Sequence, residues 1–180
     1  MLKSQDIVVL AWLIARKSEP WRYVDLAQGL FISSSEAHSA VKRLTASGLL
    51  VPDIHRRGQF QPSLNAVEAF LKNGVPYVFY ADHGPTTRGI PTGVGAPPLN
   101  QYFSLGNEIP VWPDPDGEAR GPGLEPLYKS VPRAARNNPG LYELLALIDA
   151  LRCGRSRERN KAEELLKEKL AGYIAPQIPT

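Results

Sequence analysis

Cysteine is almost absent from this 180-residue chain, and so is any long apolar run. The single cysteine, Cys153, excludes an intrachain disulfide and a zinc site built from several cysteines of one chain. Without a long apolar segment there is no candidate for a membrane-spanning helix. The N-terminus also lacks the charged, apolar, small-residue order of a signal peptide. We therefore expect a cytoplasmic protein that has no membrane partner.

Histidine is scarce as well, and the three histidines lie far apart in the sequence, at His38, His55 and His83. No spacing groups a nucleophile, a base and an orienting residue, and no metal or cofactor motif is present. The sequence therefore predicts no catalytic residue, no metal site and no cofactor. The polar stretch from His83 to Gly89, which contains Arg88, is interpreted as a turn, with a ligand site as the alternative. A cavity joining His83 and Arg88 to a carboxylate would favour an enzyme.

Charge is distributed unevenly along the chain. Residues 1–75 carry nine Lys/Arg and six Asp/Glu (net +3), residues 76–132 carry three and six (net −3), and residues 133–180 carry nine and six (net +3). Two basic ends around an acidic middle suit a nucleic-acid binder whose central segment stays away from the phosphates.

The most specific pattern lies between Phe31 and Gly58. Ser33 and Glu36 form an S-x-x-E capping box, which predicts a helix from about Ser34 that Gly48 can end. An apolar stripe recurs at i, i+3, i+4 and i+7, at Ala37, Ala40, Val41 and Leu44. The opposite face carries hydrogen-bonding groups followed by cations, at Ser35, His38, Ser39, Lys42 and Arg43. Such a surface can enter the major groove of DNA.

The flanking segments complete a recognisable order of elements. Residues 3–17 and 23–30 are predicted to be helices that pack with this one into a three-helix core. Residues 49–51 and 59–61 are predicted strands around a turn with adjacent arginines, and residues 63–72 a following helix.

The string LAQGLFISSSEAHSAVKRLTASGLLV, followed by RRG, resembles the winged helix-turn-helix regulators of the MarR-like kind over about residues 3–75. The resemblance implies a recognition helix in the major groove and a wing on the backbone or in the minor groove. The candidate DNA-binding residues are Ser34, Ser35, His38, Ser39, Lys42 and Arg43 on the helix, and His55, Arg56 and Arg57 on the wing. Winged folds also bind RNA or proteins, so function has to be argued from the site.

The middle of the chain is rich in glycine and proline. From Gly84 to Pro132, 18 of 49 residues are glycine or proline, and this density argues against long helices and against central strands. The segment still holds many apolar residues, so we expect an ordered, extended arm that wraps its own domain or that of a symmetry mate. Residues 75–80 are a candidate strand.

The C-terminal part returns to helix. Asn138 can cap a helix that has Pro139 in its first turn and is apolar on nearly every side. Ser156 can cap a second helix. This helical hairpin is a candidate for dimerisation or partner binding. Its cations form a candidate second anion surface: Arg152, Arg155, Arg157 and Arg159. The alternative is a solvated helix junction. Cys153 is interpreted as a small residue at a helix end, with a redox-sensing thiol as the alternative.

The sequence thus predicts a mainly α fold with a small β-wing. Residues 1–75 form a winged helix-turn-helix domain, 76–136 an extended arm and 137–180 a helical hairpin. The expected function is a homodimeric transcriptional regulator, a repressor, that reads a palindrome in double-stranded DNA. The alternative is an antitoxin-like or adaptor protein that binds an operon-encoded partner while its winged domain regulates that operon.

Overall fold

The computed structural model describes residues 1–173. Of these, 52% are helical and 14% lie in strands of small sheets, a mixed α/β content that is compatible with the expected mainly α fold with a small β region. The helices are α1 Ser4–Ala15, α2 Tyr23–Leu30, α3 Ser34–Ala46, α4 Leu64–Asn73, α5 Val75–Val78, α6 Val131–Arg136, α7 Pro139–Cys153 and α8 Ser156–Ala171. The strands are β1 Leu50–Pro52, β2 Phe60–Pro62, β3 His83–Pro91, β4 Val111–Pro113 and β5 Ala119–Leu124.

The N-terminal elements follow the sequence pattern closely. Helices α1 to α4 and strands β1 and β2 begin and end within two residues of the predicted positions. Gly48 follows α3 with a φ of +77°, the left-handed conformation that glycine adopts at little cost. Strands β1 and β2 form an antiparallel hairpin in which Val51 pairs with Gln61. Helices α1, α2 and α3 pack on one another, and the predicted apolar stripe of α3 is part of their shared core.

The glycine- and proline-rich middle folds into a sheet, and the prediction of an extended arm is wrong. Strand β3 pairs antiparallel with β4 on one edge and with β5 on the other, and β4 meets β5 in a parallel bridge between Val111 and Gly123. The stretch from His83 to Gly89, interpreted as a turn, is most of β3.

Glycine makes this compact sheet possible. A Cβ atom on Gly121 would lie 1.7 Å from the carbonyl oxygen of Ile109, and one on Gly89 would lie 1.9 Å from that of Trp112. Side chains at these positions would therefore prevent the strands from closing on one another. The glycine content that suggested an unpaired arm reflects close backbone packing instead.

Two short helices also differ from the sequence-based expectation. Residues 75–80, predicted as a strand, contain α5, because Pro76 fits the first turn of a helix, where its missing N–H costs no hydrogen bond. Helix α6 lies within the predicted arm and likewise carries a proline, Pro132, in its first turn.

Helix α7 occupies the centre of the molecule. It begins after Asn138, whose Oδ1 accepts a hydrogen bond from the backbone N–H of Leu141 at 3.0 Å, as predicted. The helix contacts α1, α5, α6 and α8 and the helical turn at 93–95, so it is buried on several sides. Its apolar surface packs within the same chain, in one core cluster that also includes side chains of α1 to α4. We expected the helical hairpin to offer this apolar surface to a partner, but most of it packs against other elements of the same chain.

Helix α8 starts one residue earlier than the predicted cap at Ser156 would place it. Arg155 is the capping residue, and its backbone N–H donates to the Glu158 carboxylate at 2.9 Å, while Ser156 is the first helical residue. Among residues 1–173 no helix combines the length and the apolar composition that crossing a bilayer requires.

Candidate nucleic-acid interface

The start of α3 is built by the predicted capping box. The Ser33 hydroxyl accepts the backbone N–H of Glu36 at 3.2 Å, and the Glu36 carboxylate accepts the backbone N–H of Ser33 at 2.8 Å. These reciprocal bonds satisfy two backbone donors that a helix start would otherwise leave open. The first turn of α3 is therefore held firmly in place.

One face of α3 is open to solvent. The apolar stripe of Ala37, Ala40, Val41 and Leu44 is buried completely or nearly so. The exposed residues of the helix include five of the predicted site residues, namely Ser34, Ser35, His38, Ser39 and Lys42. Tyr128 of the glycine- and proline-rich region contacts the neighbouring Glu36 but leaves these five residues exposed. The face therefore presents hydroxyls, an imidazole and an ammonium group to a partner.

His38 is held in a defined position on this face. Its ring stacks on the Tyr23 ring of α2, with 3.7 Å between ring centroids and 10° between planes. Its Nδ1 donates to the Ser34 carbonyl oxygen at 2.8 Å, which leaves Nε2 as the nitrogen available to a ligand. The stack also ties α3 to α2, and Tyr23 is a contributor that sequence patterning did not identify.

Arg43 was expected among the cations of the exposed face, and the structure corrects this. Its guanidinium donates from Nε and Nη2 to the two carboxylate oxygens of Asp6 in α1, at 2.8 and 2.7 Å. Asp6 is fully buried, so its charge needs a cationic partner within the protein. These hydrogen bonds raise the pKa of Arg43. The residue thus fixes α3 against α1 and is not free to bind another anion.

Glu36 joins α3 to a distant part of the chain. Besides capping the helix, its carboxylate accepts the Tyr128 hydroxyl at 2.6 Å and the Gln5 side-chain amide at 3.2 Å. These donors, Tyr128 first and Ser33 next, lower the pKa of Glu36 to about 2, and the same contact raises the pKa of Tyr128. Tyr128 lies 92 residues away in sequence, so no local signal could have indicated it.

The β1–β2 hairpin carries the second group of predicted site residues. His55 and Arg57 are exposed at its tip. Arg56 is partly buried, because its Nη1 donates to the Ser18 carbonyl oxygen at 2.6 Å and ties the tip to the loop after α1. Trp21 supports the hairpin by donating its indole N–H to the Phe60 carbonyl oxygen at 3.3 Å. Of the two predicted arginines, Arg57 is thus the one left to contact a partner.

The predicted second anion surface is only partly present. Arg155, Arg157 and Arg159 are exposed around the start of α8. Arg152 is not part of that surface, because it is buried and its Nη1 donates to the Asp149 carboxylate at 2.7 Å. The burial of Arg152 corrects the expectation that all four arginines face solvent.

Asp149 organises a buried polar network that sequence patterning missed. One carboxylate oxygen accepts the Thr92 hydroxyl and the Trp112 indole N–H, both at 2.7 Å, and the other accepts Arg152. Arg152 also donates to the Phe79 carbonyl oxygen at 2.7 Å. The network connects α7 with the sheet and with the end of α5. An Asp-x-x-Arg pair inside an otherwise apolar helix was the available sequence signal.

Of the remaining candidates for chemistry, His83 and Cys153 line the same cavity. This cavity of about 560 Å³ is also lined by Glu108, Arg155 and Glu158, but Arg88 is not part of it. Burial raises the pKa of the Cys153 thiol to about 12, which argues against a reactive thiolate. Among residues 1–173 no three His, Cys, Asp or Glu side chains converge as metal ligands.

No protein-family model, no curated protein and no solved structure matches the chain. The geometry of the site is therefore the basis of the functional proposal.

Proposed function

We propose that residues 3–75 form a winged helix-turn-helix unit and that the chain is a sequence-specific DNA-binding transcriptional regulator. In this proposal α3 enters the major groove and the β1–β2 hairpin is the wing that contacts the backbone or the minor groove. The observation that carries the proposal is the exposure of Ser34, Ser35, His38, Ser39 and Lys42 on a helix whose opposite side is buried.

The chemistry of the exposed face suits DNA. Serine hydroxyls can donate to or accept from base edges, and the Nε2 atom of the neutral His38 ring can accept a hydrogen bond, whereas Lys42 can meet a phosphate. Arg57 at the hairpin tip supplies a second cation at a distance from the helix. A regulator that reads a palindrome would act as a dimer, with half-sites about one helical turn apart. We propose repression as the mode of action, since it requires only occupancy of the operator.

Selection of DNA from a pool of genomic fragments tests the proposal. We expect a subset of fragments to be enriched and to stay bound when the salt concentration is raised, because base contacts depend on salt less than phosphate contacts do. Ser39→Ala should relax or abolish this preference, and Lys42→Gln should weaken binding to all fragments. Lys167→Gln, a matched change of an exposed lysine on α8, is the control. Adhesion that fades uniformly at higher salt would contradict the proposal.

A protein-docking role is the second candidate, favoured by one exposed apolar patch. Tyr77, Val78 and Tyr80, in and after α5, have 78%, 59% and 70% of their surface exposed. Exposed aromatic side chains that lie together are typical of protein interfaces. This patch, rather than the α7–α8 hairpin, would bind the second copy of a dimer or an operon-encoded partner. Tyr77→Ser/Tyr80→Ser should then lower the mass measured by light scattering, or abolish partner capture, without unfolding the chain.

A further inference from the structure

We infer that Lys129 and Arg133, together with Lys3, form a phosphate-binding rim at the N-terminal end of α3. The segment preceding and including α6 would then be part of the DNA-contacting surface. This inference rests on the proposed DNA-binding function and adds residues that the sequence pattern did not include.

Two contacts place the segment beside the start of α3. The Tyr128 hydroxyl donates to Glu36 in the first turn of α3 at 2.6 Å. Five residues later, the Arg133 guanidinium carbon lies 3.9 Å from the ring centroid of Phe31, which is in the turn that leads into α3. Lys129 directly follows Tyr128, and its Nζ lies 5.8 Å from the Tyr128 ring centroid. Both cations are therefore held next to the end of α3 that carries Ser34 and Ser35.

Lys3 lies near the same end of α3. It lines a depression of about 370 Å³ together with Ser35, Ser39 and Tyr128. The depression therefore connects Lys3 with the exposed face of α3 and with Tyr128, which precedes Lys129. Lys3, Lys129 and Arg133 are all exposed.

The charges around this depression favour an anion. Asp6 is paired with the Arg43 guanidinium, whereas the donors to Glu36, Tyr128 and Ser33, are neutral and leave its negative charge in place. The three rim cations outnumber this one carboxylate. Within residues 1–173 no carboxylate lies within ion-pair distance of the three rim cations. The local excess of positive charge is therefore left for a partner.

The contact between Arg133 and Phe31 indicates how Arg133 would bind. The guanidinium carbon lies 3.9 Å from the ring centroid, which is a cation–π contact. This contact holds the side chain beside α3 and is compatible with hydrogen bonds from its N–H donors to phosphate oxygens. Three cations spread around one helix end match the repeated phosphates of a DNA strand better than a single small anion.

The test compares the salt dependence of binding to a short labelled duplex of mixed sequence, measured by fluorescence anisotropy with the full-length protein. For Lys129→Gln/Arg133→Gln we expect the slope of log K against log salt to fall by about 1.8, since each lost phosphate contact contributes about 0.9. The affinity should fall on the order of tenfold to a hundredfold at about 0.1 M salt. The charge-preserving Lys129→Arg/Arg133→Lys should restore the wild-type slope.

The matched control is Arg120→Gln/Lys167→Gln, which removes the same charges from exposed positions of β5 and α8. Thermal melts establish that all variants fold. If the rim variant and this control have the same slope while Lys42→Gln weakens binding, the inference is overturned and the proposed function stands. If the wild-type protein binds neither the mixed duplex nor a selected fragment, the proposed function fails and the rim fails with it.

Discussion

Helices α3 and α7 place their polar residues in opposite environments. Helix α3 buries one apolar stripe and leaves its serines, His38 and Lys42 in solvent. Helix α7 buries Asp149 and Arg152 along with its leucines, and it contacts other elements on several sides. The comparison shows that polar residues at helical spacing indicate a free surface only where the helix lies at the edge of the molecule. In a central helix the same residue types build internal connections.

The two buried aspartates refine this comparison. Asp6 pairs with Arg43, whose side chain is 20% exposed, whereas Asp149 pairs with Arg152, whose side chain is 6% exposed. Both carboxylates are satisfied by several donors, but only the first pair has a route to water. Substitutions of the two aspartates should therefore lower the free energy of unfolding by different amounts. The following predictions run from the largest expected effect to the smallest.

Asp149→Ala should lower the free energy of unfolding by about 3–5 kcal/mol, because it leaves Arg152 buried without its countercharge. It also removes the acceptor for Thr92 and Trp112. Urea unfolding followed by circular dichroism measures the change. Asp116→Ala, in an exposed turn, should alter stability by less than about 0.5 kcal/mol. A similar small effect for Asp149→Ala would show that the internal network does not hold α7 in place.

Gly121→Ala should lower the free energy of unfolding by about 3 kcal/mol, because the new Cβ would collide with the backbone of Ile109 and force the strands apart. Gly106→Ala is the matched control, since a Cβ there meets no atom within 4 Å. Thermal or urea unfolding of the two variants distinguishes close packing from general loss of backbone freedom. Equal stabilities would contradict the role assigned to glycine in the sheet.

Asp6→Ala should lower the free energy of unfolding by about 2 kcal/mol. This is less than the effect of Asp149→Ala, because the released Arg43 can reach water. The variant also removes the acceptor for the Lys3 backbone N–H at the start of α1. Asp25→Ala, which breaks the exposed pair with Arg22, is the comparison and should cost less again. If Asp6→Ala proved as costly as Asp149→Ala, exposure of the partner would not be what separates the two pairs.

Tyr128→Phe should lower the free energy of unfolding at neutral pH by about 1 kcal/mol, by removing the hydrogen bond to Glu36. The pKa of Glu36 is about 2 in the folded protein and about 4.3 in an unfolded chain, so the stability that comes from its charged form is present above pH 4.3. That contribution is lost as the pH falls toward 2. The difference between wild type and variant should therefore shrink at acidic pH.

Urea unfolding at neutral pH and near pH 2 checks this pH dependence. Tyr77→Phe removes a hydroxyl from a tyrosine that is 78% exposed, and it should have no effect at either pH. A difference between wild type and Tyr128→Phe that stayed constant with pH would contradict the link to Glu36.

Much of the N-terminal half could be predicted because its signals are local. The Ser33–Glu36 capping box, the four apolar positions of α3 and the left-handed Gly48 each involve residues a few positions apart. Such patterns depend on helix geometry alone, so they locate α3 and its exposed face without further information.

The glycine- and proline-rich region could not be predicted in the same way. Strand β3 pairs with two strands that lie 20 or more residues further along, and Gly89 and Gly121 are needed only because other backbones come close. From composition alone, a residue that permits close packing cannot be distinguished from one that breaks regular structure. The sheet was therefore mistaken for an extended arm.

By itself the sequence determined the longer helices, the caps of α3 and α7 and the face of α3 that remains in solvent, because each depends on residues within two helical turns. Only the tertiary structure decided which charged groups are free. Arg43 and Arg152 appear in the sequence as cations like Lys42, but each binds a buried aspartate, whereas Lys129 and Arg133 lie beside α3 because of Glu36 and Phe31. The physical reason is that a charge finds its partner through space, and neither burial nor distance across the fold is encoded at one position of the chain.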